Sequence, residues 1–196
     1  VKRIAIFASG SGTNAEELIK HFRGHPLAQV ALVCCDQPQA GVLQRAWDLG
    51  VPSYLFNGVQ LRNGTVLREL QGQRIDVLVL AGFLRLVPVE IVQAFPKRIV
   101  NIHPALLPKY GGKGMYGDHV HEAVIASHDK ESGITIHLVN DRYDEGEQLL
   151  QVKCPVLQND TAGSLAQRIH ALEHAHYPAA VENLVRSIPP EVKGNN

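Results

Sequence analysis

The first twenty-two residues constrain the fold more than any other stretch of the chain. Arg3 to Ala8 is a compact apolar run, the pattern of a parallel strand buried on both faces. Ser9-Gly10-Ser11-Gly12-Thr13-Asn14 follows as a tight loop. From Ala15 to Phe22 the spacing becomes helical, with Leu18, Ile19 and Phe22 on one face. A strand that turns through glycines straight into a helix points to an α/β architecture, and the remaining chain keeps the same rhythm.

Val30 to Cys35 reads as a second strand, and Val42 to Leu49 as a helix stopped by Gly50 at the C′ position. Pro52 to Leu55 suits a short strand, and Leu67 and Leu70 belong to a helix that Gly72 ends. Ile75 to Ala81 carries the strongest strand signal. Pro88 can start a short helix to Phe95, and Ile99 to Ile102 is another strand. The glycines and prolines between Pro104 and Gly117 require a loop. A helix over His119 to Ser127 leads to a half-buried strand at Ile134 to Val139 and a further strand at Leu149 to Cys154. Ala162 to Val185 is helical with a break expected at Pro178, and residues 188–196 should fray. The expectation is one α/β domain over residues 1–187, Rossmann-like and three-layered, around a mostly parallel sheet. Ligands in such sheets bind beyond the strand ends, so the loops at 9–14, 82–87, 101–117 and 140–146 are the places to look.

Composition narrows the partners. Nineteen basic and nineteen acidic residues cancel, which removes the field a nucleic acid or anionic membrane would need. A single phosphate needs only a local site. No apolar run reaches the length of a membrane span. Three cysteines, Cys34, Cys35 and Cys154, make a disulfide framework a poor fit, so a reducing cytoplasm is expected. Oligomeric state is not legible in this composition.

Three motifs compete to define the chemistry. Gly10-Ser11-Gly12-Thr13-Asn14-Ala15 matches the dinucleotide fingerprint, and Asp36 stands where a ribose-binding acid would be. That supports an NAD-dependent oxidoreductase, yet free amides at a helix N-terminus serve a single phosphate as well. His170-Ala171-Leu172-Glu173-His174 has the spacing of a zinc motif, but it lacks a third ligand and lies on an ordinary amphipathic helix. No metal is expected there. Asn101 and His103 lie two apart at a strand end and share one face. A carboxamide beside an imidazole suits hydrogen-bond donation to a carbonyl oxygen becoming an oxyanion.

Asn101-Ile102-His103-Pro104 through Leu107-Pro108 resembles the signature of the folate-dependent formyltransferases. Ser9 to Asn14, Leu80 to Arg85 and Asp141 to Gly146 resemble further family motifs, in order, from about residue 2 to about 186. The resemblance implies the formyltransferase fold and transfer of a formyl group from 10-formyltetrahydrofolate to the primary amine of glycinamide ribonucleotide. Both partners are small molecules, and no metal is needed. It implies that Asn101, His103 and Asp144 are the catalytic set, and that Gly12, Thr13 and Asn14 hold the ribose phosphate. Glu173 would hold the glycinamide amine, and His170 would touch the ribose or amide. Leu84, Arg85, Leu86 and Val87 would line the pteridine pocket, with Asp141 to Asp144 opposite. Arg62 would pair with the folate glutamate. A nearby Asp144 carboxylate would raise the His103 pKa and keep the imidazole cationic. The Gly111–Gly117 stretch is richer in glycine than many family versions and suits a flap, with Lys113 able to meet phosphate.

Overall fold

Seven strands form one sheet in the order β3-β2-β1-β4-β5-β6-β7 in this computed structural model, which describes residues 1–189. In chain order the elements are β1 (Lys2–Ala8), α1 (Thr13–His21), β2 (Ala28–Cys35), α2 (Gly41–Asp48), β3 (Ser53–Leu55), α3 (Gly58–Arg62) and α4 (Thr65–Gly72). Then come β4 (Val77–Leu80), α5 (Val89–Ala94), β5 (Ile99–His103), α6 (Asp118–Ala126), β6 (Glu131–Leu138), β7 (Gln148–Pro155) and α7 (Ala162–Ser187). β1 to β5 pair in parallel, whereas β6 pairs antiparallel with both β5 and β7.

Alternation along the central strands builds two cores. Ile4, Ile6 and Ala8 of β1 and Val77 and Val79 of β4 pack with Leu18, Val42, Ile169 and Val181, under α1, α2 and α7. Ala5, Phe7, Leu78 and Leu80 point the other way, to Leu61, Val66, Leu70 and Ile91 of α3, α4 and α5. Helices therefore cover both faces, the three-layer arrangement that period-two alternation on a parallel sheet demands.

Two expectations need correction, at Pro178 and at β6. Pro178 does not break α7, which runs unbroken through it. The neighbouring Tyr177 is fully buried and its hydroxyl donates to the carbonyls of Leu80 (2.8 Å) and Val100 (3.2 Å), so tertiary packing holds the helix across the lost backbone donor. Gly72 is the last residue of α4, as the sequence pattern places it, and the left-handed turn after it falls on Arg74 (φ 52°). α3 lies in a stretch that the sequence pattern leaves unassigned; Asn57 caps it by accepting from the N–H groups of Val59 and Gln60. β6 is buried on both faces. Ile134 and Ile136 enter the core, while Thr135 on the other face donates to the Ala105 carbonyl (2.7 Å) and accepts from Leu107 N–H (3.0 Å). The frayed tail lies, from residue 190 onward, outside the described residues.

Candidate active site

A cavity of about 600 Å³ opens where the loops after β1, β4 and β5 meet the loop between β6 and β7. Its first wall is the N-terminus of α1. Gly12 takes the N-cap position with φ 78°, and a Cβ there would lie 2.5 Å from the Val42 side chain. The turn thus needs glycine for its conformation and for the close approach of α2. No side chain caps the helix, so its first amides face the cavity beside Thr13 and Asn14. Asn14 donates through Nδ2 to Glu173 Oε2 at 2.8 Å. Burial raises the Glu173 carboxyl above its ordinary range, against the lowering effect of Asn14, His170 and His174.

The second wall comes from β5 and β6. Asn101 pairs across the ladder with His137, and His103 with Thr135. His103 Nε2 donates to the Tyr110 carbonyl at 2.7 Å, which leaves Nδ1 toward Asp144 Oδ2 at 3.6 Å. His137 Nδ1 donates to the Leu138 carbonyl at 2.8 Å. Its Nε2 lies 3.2 Å from Asn101 Nδ2 and 3.5 Å from Asp144 Oδ1, so the ring bridges the two side chains. The second Asn101 N–H reaches Asp144 Oδ1 at 3.5 Å, a length at which a better acceptor would displace it. β6 is antiparallel, so the 140–146 loop leaves at the far end of β5 and must curl back over the sheet. Asp144 itself adopts φ 57°, and Gly112 N–H donates to its Oδ2 at 2.9 Å.

Electrostatics at this wall overturn one expectation. Burial lowers the His103 pKa below the ordinary imidazole value, outweighing the opposite pull of Asp144 and the Tyr110 carbonyl. Asp144 does raise the imidazole, but not enough to keep it cationic by itself. Burial also pushes the Asp144 carboxyl upward, and His137, His103 and the Gly112 amide together hold it below its usual value.

The third wall is the loop after β4, where Leu84, Arg85, Leu86 and Val87 line the cavity. Ser9 Oγ donates to Asp36 at 2.6 Å and accepts from Leu84 N–H at 3.1 Å, while Arg85 Nε donates to Asp36 at 2.6 Å. Asp36 is thereby buried as the anchor of this loop. Arg62, on α3, stands outside the cavity wall, with its guanidinium and that of Arg85 both alongside Gly58. Asp141 is exposed and does not reach the wall, whereas Arg142, Tyr143 and Asp144 do. His170 lines the cavity, and His174 has a buried Nε2 without a partner.

Sequence reasoning missed two cavity residues. His137 sits within an alternating strand and carries no motif. His121 is buried beside the core positions Val120 and Val124 of α6, and its Nδ1 has no partner. Burial lowers its pKa, with His170 adding to the effect.

Fold and cavity together define an α/β domain whose ligand site joins a helix N-terminus to an Asn–His–carboxylate cluster. Residues 2–181 match the formyl transferase family, and the chain belongs to it. It is 41% identical over 187 residues to the chloroplastic phosphoribosylglycinamide formyltransferase of Arabidopsis thaliana, covering 92% of this chain and 64% of that relative's length. It is 34% identical to phosphoribosylglycinamide formyltransferase of Bacillus subtilis, covering 94% of this chain and 95% of the relative. The crystal structure of glycinamide ribonucleotide transformylase 1 from Symbiobacterium toebii superposes with a TM-score of 0.88 at 33% identity, covering 97% of this chain and 92% of that one. The oxidoreductase reading falls here. Asp36 is engaged by Ser9 and Arg85 rather than turned to a ribose, and family membership assigns the glycine loop to a formyl transferase. None of the described helices is long and apolar enough to cross a membrane.

Proposed function

We propose that the chain transfers the formyl group of 10-formyltetrahydrofolate to the primary amine of glycinamide ribonucleotide. The observation that carries this reading is one continuous cavity. It runs from the amides of α1, through Asn101, His103 and Asp144, to Leu84–Val87. Relatives named for this activity support it over most of the chain.

The α1 amides and the helix dipole suit the ribose phosphate, with Lys113 on the facing loop adding positive charge. Glu173 and His170 then lie within reach of the glycinamide end. Leu84, Leu86 and Val87 offer apolar surface and backbone groups for a flat pteridine, and Arg85 and Arg62 offer cations toward the folate glutamate. Bound formyl folate supplies the electrophilic carbon. Asn101 gives its weakly held N–H to the formyl oxygen as that oxygen gains charge. His103 presents Nδ1 to the same region, and the growing negative charge favours its protonation against the burial that lowers it. Asp144 and His103 hold the proton that passes from amine to folate nitrogen through a water. No step needs a metal. Free, buried thiols at Cys34, Cys35 and Cys154 support a reducing compartment, for which we propose the cytoplasm.

The test is a single assay. Protein, glycinamide ribonucleotide and 10-formyltetrahydrofolate should give formylated ribonucleotide and deformylated folate, at a rate unchanged by EDTA. Absence of transfer by folded protein that binds both substrates would sink the reading.

A further inference from the structure

α1 and α7 touch at both ends. At the cavity end Asn14 meets Glu173. At the other end His21, the last residue of α1, meets Glu182, nine residues or about 13 Å further along α7. There His21 Nε2 lies 2.9 Å from Glu182 Oε2, and His25 Nε2 lies 3.6 Å from Glu182 Oε1. Among the described residues this is the group that brings three potential ligand atoms within 4.8 Å of one another. The imidazole rings are near-parallel, with centroids 5.7 Å apart, so both Nε2 atoms address the same carboxylate.

We propose that His21, His25 and Glu182 bind one divalent transition-metal ion of the zinc class and so clamp the C-terminal end of α1 to α7. Two imidazoles and one carboxylate suit Zn²⁺, Co²⁺ or Ni²⁺, whereas Mg²⁺ and Ca²⁺ prefer all-oxygen sites. Zinc ligands at about 2.1 Å in a tetrahedron stand roughly 3.4 Å apart, and the three ligand atoms already lie within 4.8 Å of one another. The ion would stand at the negative end of the α1 dipole, where a cation is favoured. Arg186 occupies Oε1, which leaves Oε2 for the metal. The exchange has two internal costs, of which the first is the 2.9 Å hydrogen bond between His21 Nε2 and Glu182 Oε2, both of which turn to the metal. Metal on His25 Nε2 places the ring proton on Nδ1, and the long 3.3 Å bond from Leu27 N–H is given up.

The site is remote from the cavity, so its test does not depend on the proposed activity. Zinc titrated into the full chain in a non-chelating buffer should raise the melting midpoint. At a hundredfold excess over Kd the rise should be roughly 5–10 °C, reversed by EDTA. Co²⁺ should give the visible absorption of a site with nitrogen and oxygen ligands. His21→Asn, His25→Asn and Glu182→Gln should each abolish the rise while leaving metal-free activity and the metal-free circular dichroism spectrum unchanged. Because Glu182→Gln also weakens the contact with Arg186, the quantity compared is each variant's own change in midpoint between zinc and EDTA. Ions bound at histidines lining the cavity would produce a rise that all three variants retain. A retained rise, or no rise in the unaltered chain, overturns the proposal.

Discussion

The two sides of the cavity are built on opposite principles. The α1 side is local in sequence. Gly12, Thr13 and Asn14 are consecutive, and their geometry follows from one left-handed glycine packed against Val42. The β5–β6 side draws Asn101 and His103 from one strand, His137 from its antiparallel neighbour and Asp144 from a loop that doubles back. The α1 amides are fixed dipoles, which act without ionisation. The second side balances three ionisable groups against burial. A site that holds a phosphate can rely on backbone, whereas one that stabilises a transient charge needs groups whose protonation responds to it.

The strongest way to sharpen this contrast is to remove the donors of the β5–β6 side. His103→Ala and Asn101→Ala should each lower kcat by about a hundred- to a thousandfold, with both substrates still bound. Steady-state kinetics with calorimetric binding would check this. Losses confined to KM would move both residues to the binding side of the comparison.

A somewhat smaller loss, about a hundredfold, is expected for Asp144→Asn. Asp144 raises the His103 pKa, so its removal lets burial lower that pKa further. The residual rate should therefore favour lower pH, where His103 still gains its proton. Combining Asp144→Asn with His103→Ala should cost much less than the product of the two single losses, because the pair acts as a unit. Fully multiplicative losses in the four pH–rate profiles would mean that the two residues work independently.

Gly12→Val tests the other side. The side chain meets Val42 and the backbone holds φ 78°, so the α1 amides must move. The ribonucleotide KM should rise about tenfold or more while the folate KM and kcat change little. Stability should fall by about 1–3 kcal/mol. Adding Val42→Ala removes only the Cγ2 contact and leaves Val42 Cβ at 2.5 Å and Cα at 2.6 Å, with the left-handed strain unchanged, so recovery should be slight. An equal effect on both substrates would detach this loop from the phosphate.

The same contrast explains what is legible in the sequence. Six of the seven strands can be read close to their observed positions because apolar runs and alternation report burial directly. The seventh, β6, is also legible as a strand, but its alternation suggests half-burial where the fold buries both faces. Its polar face carries Thr135, bonded to the loop after β5, and His137, bonded to the Leu138 carbonyl and Asn101, partners that no periodicity reports. Local motifs expose Gly12 to Asn14 and the Asn101–His103 pair. His137 stays hidden because its role depends on strand register opposite Asn101, which is a tertiary fact. Asp36 misleads for a related reason: an acid at a strand end reads as a ligand until its partners Ser9 and Arg85 are in place. The direction in which the His103 pKa moves is also out of reach, since it depends on how deeply loop 104–112 covers the ring.

The smallest expected effect separates the two sides by pH dependence of stability. On the β5–β6 side burial lowers the pKa of His103 below that of a free imidazole, and it does the same to His121 on α6. Below about pH 6.5 the unfolded chain then binds more protons than the folded one. Their contribution is full above that pH and is lost as pH falls through the folded values. On the α1 side, burial raises the pKa of Glu173 above that of a free carboxyl. Its contribution is full at low pH, below the ordinary value near 4.5, and is lost as pH rises through the folded value. The two sides therefore oppose each other across the acid range, each by about 1.4 kcal/mol for every tenfold change in proton affinity on folding. Urea midpoints between pH 4 and 8 should show it. Glu173→Gln should make stability rise more steeply with pH, and His121→Asn should make it rise less. If both variants kept the slope of the unaltered chain, neither buried group would be setting the balance, and the electrostatic contrast between the two sides would have to rest on Asp144 and His103 alone.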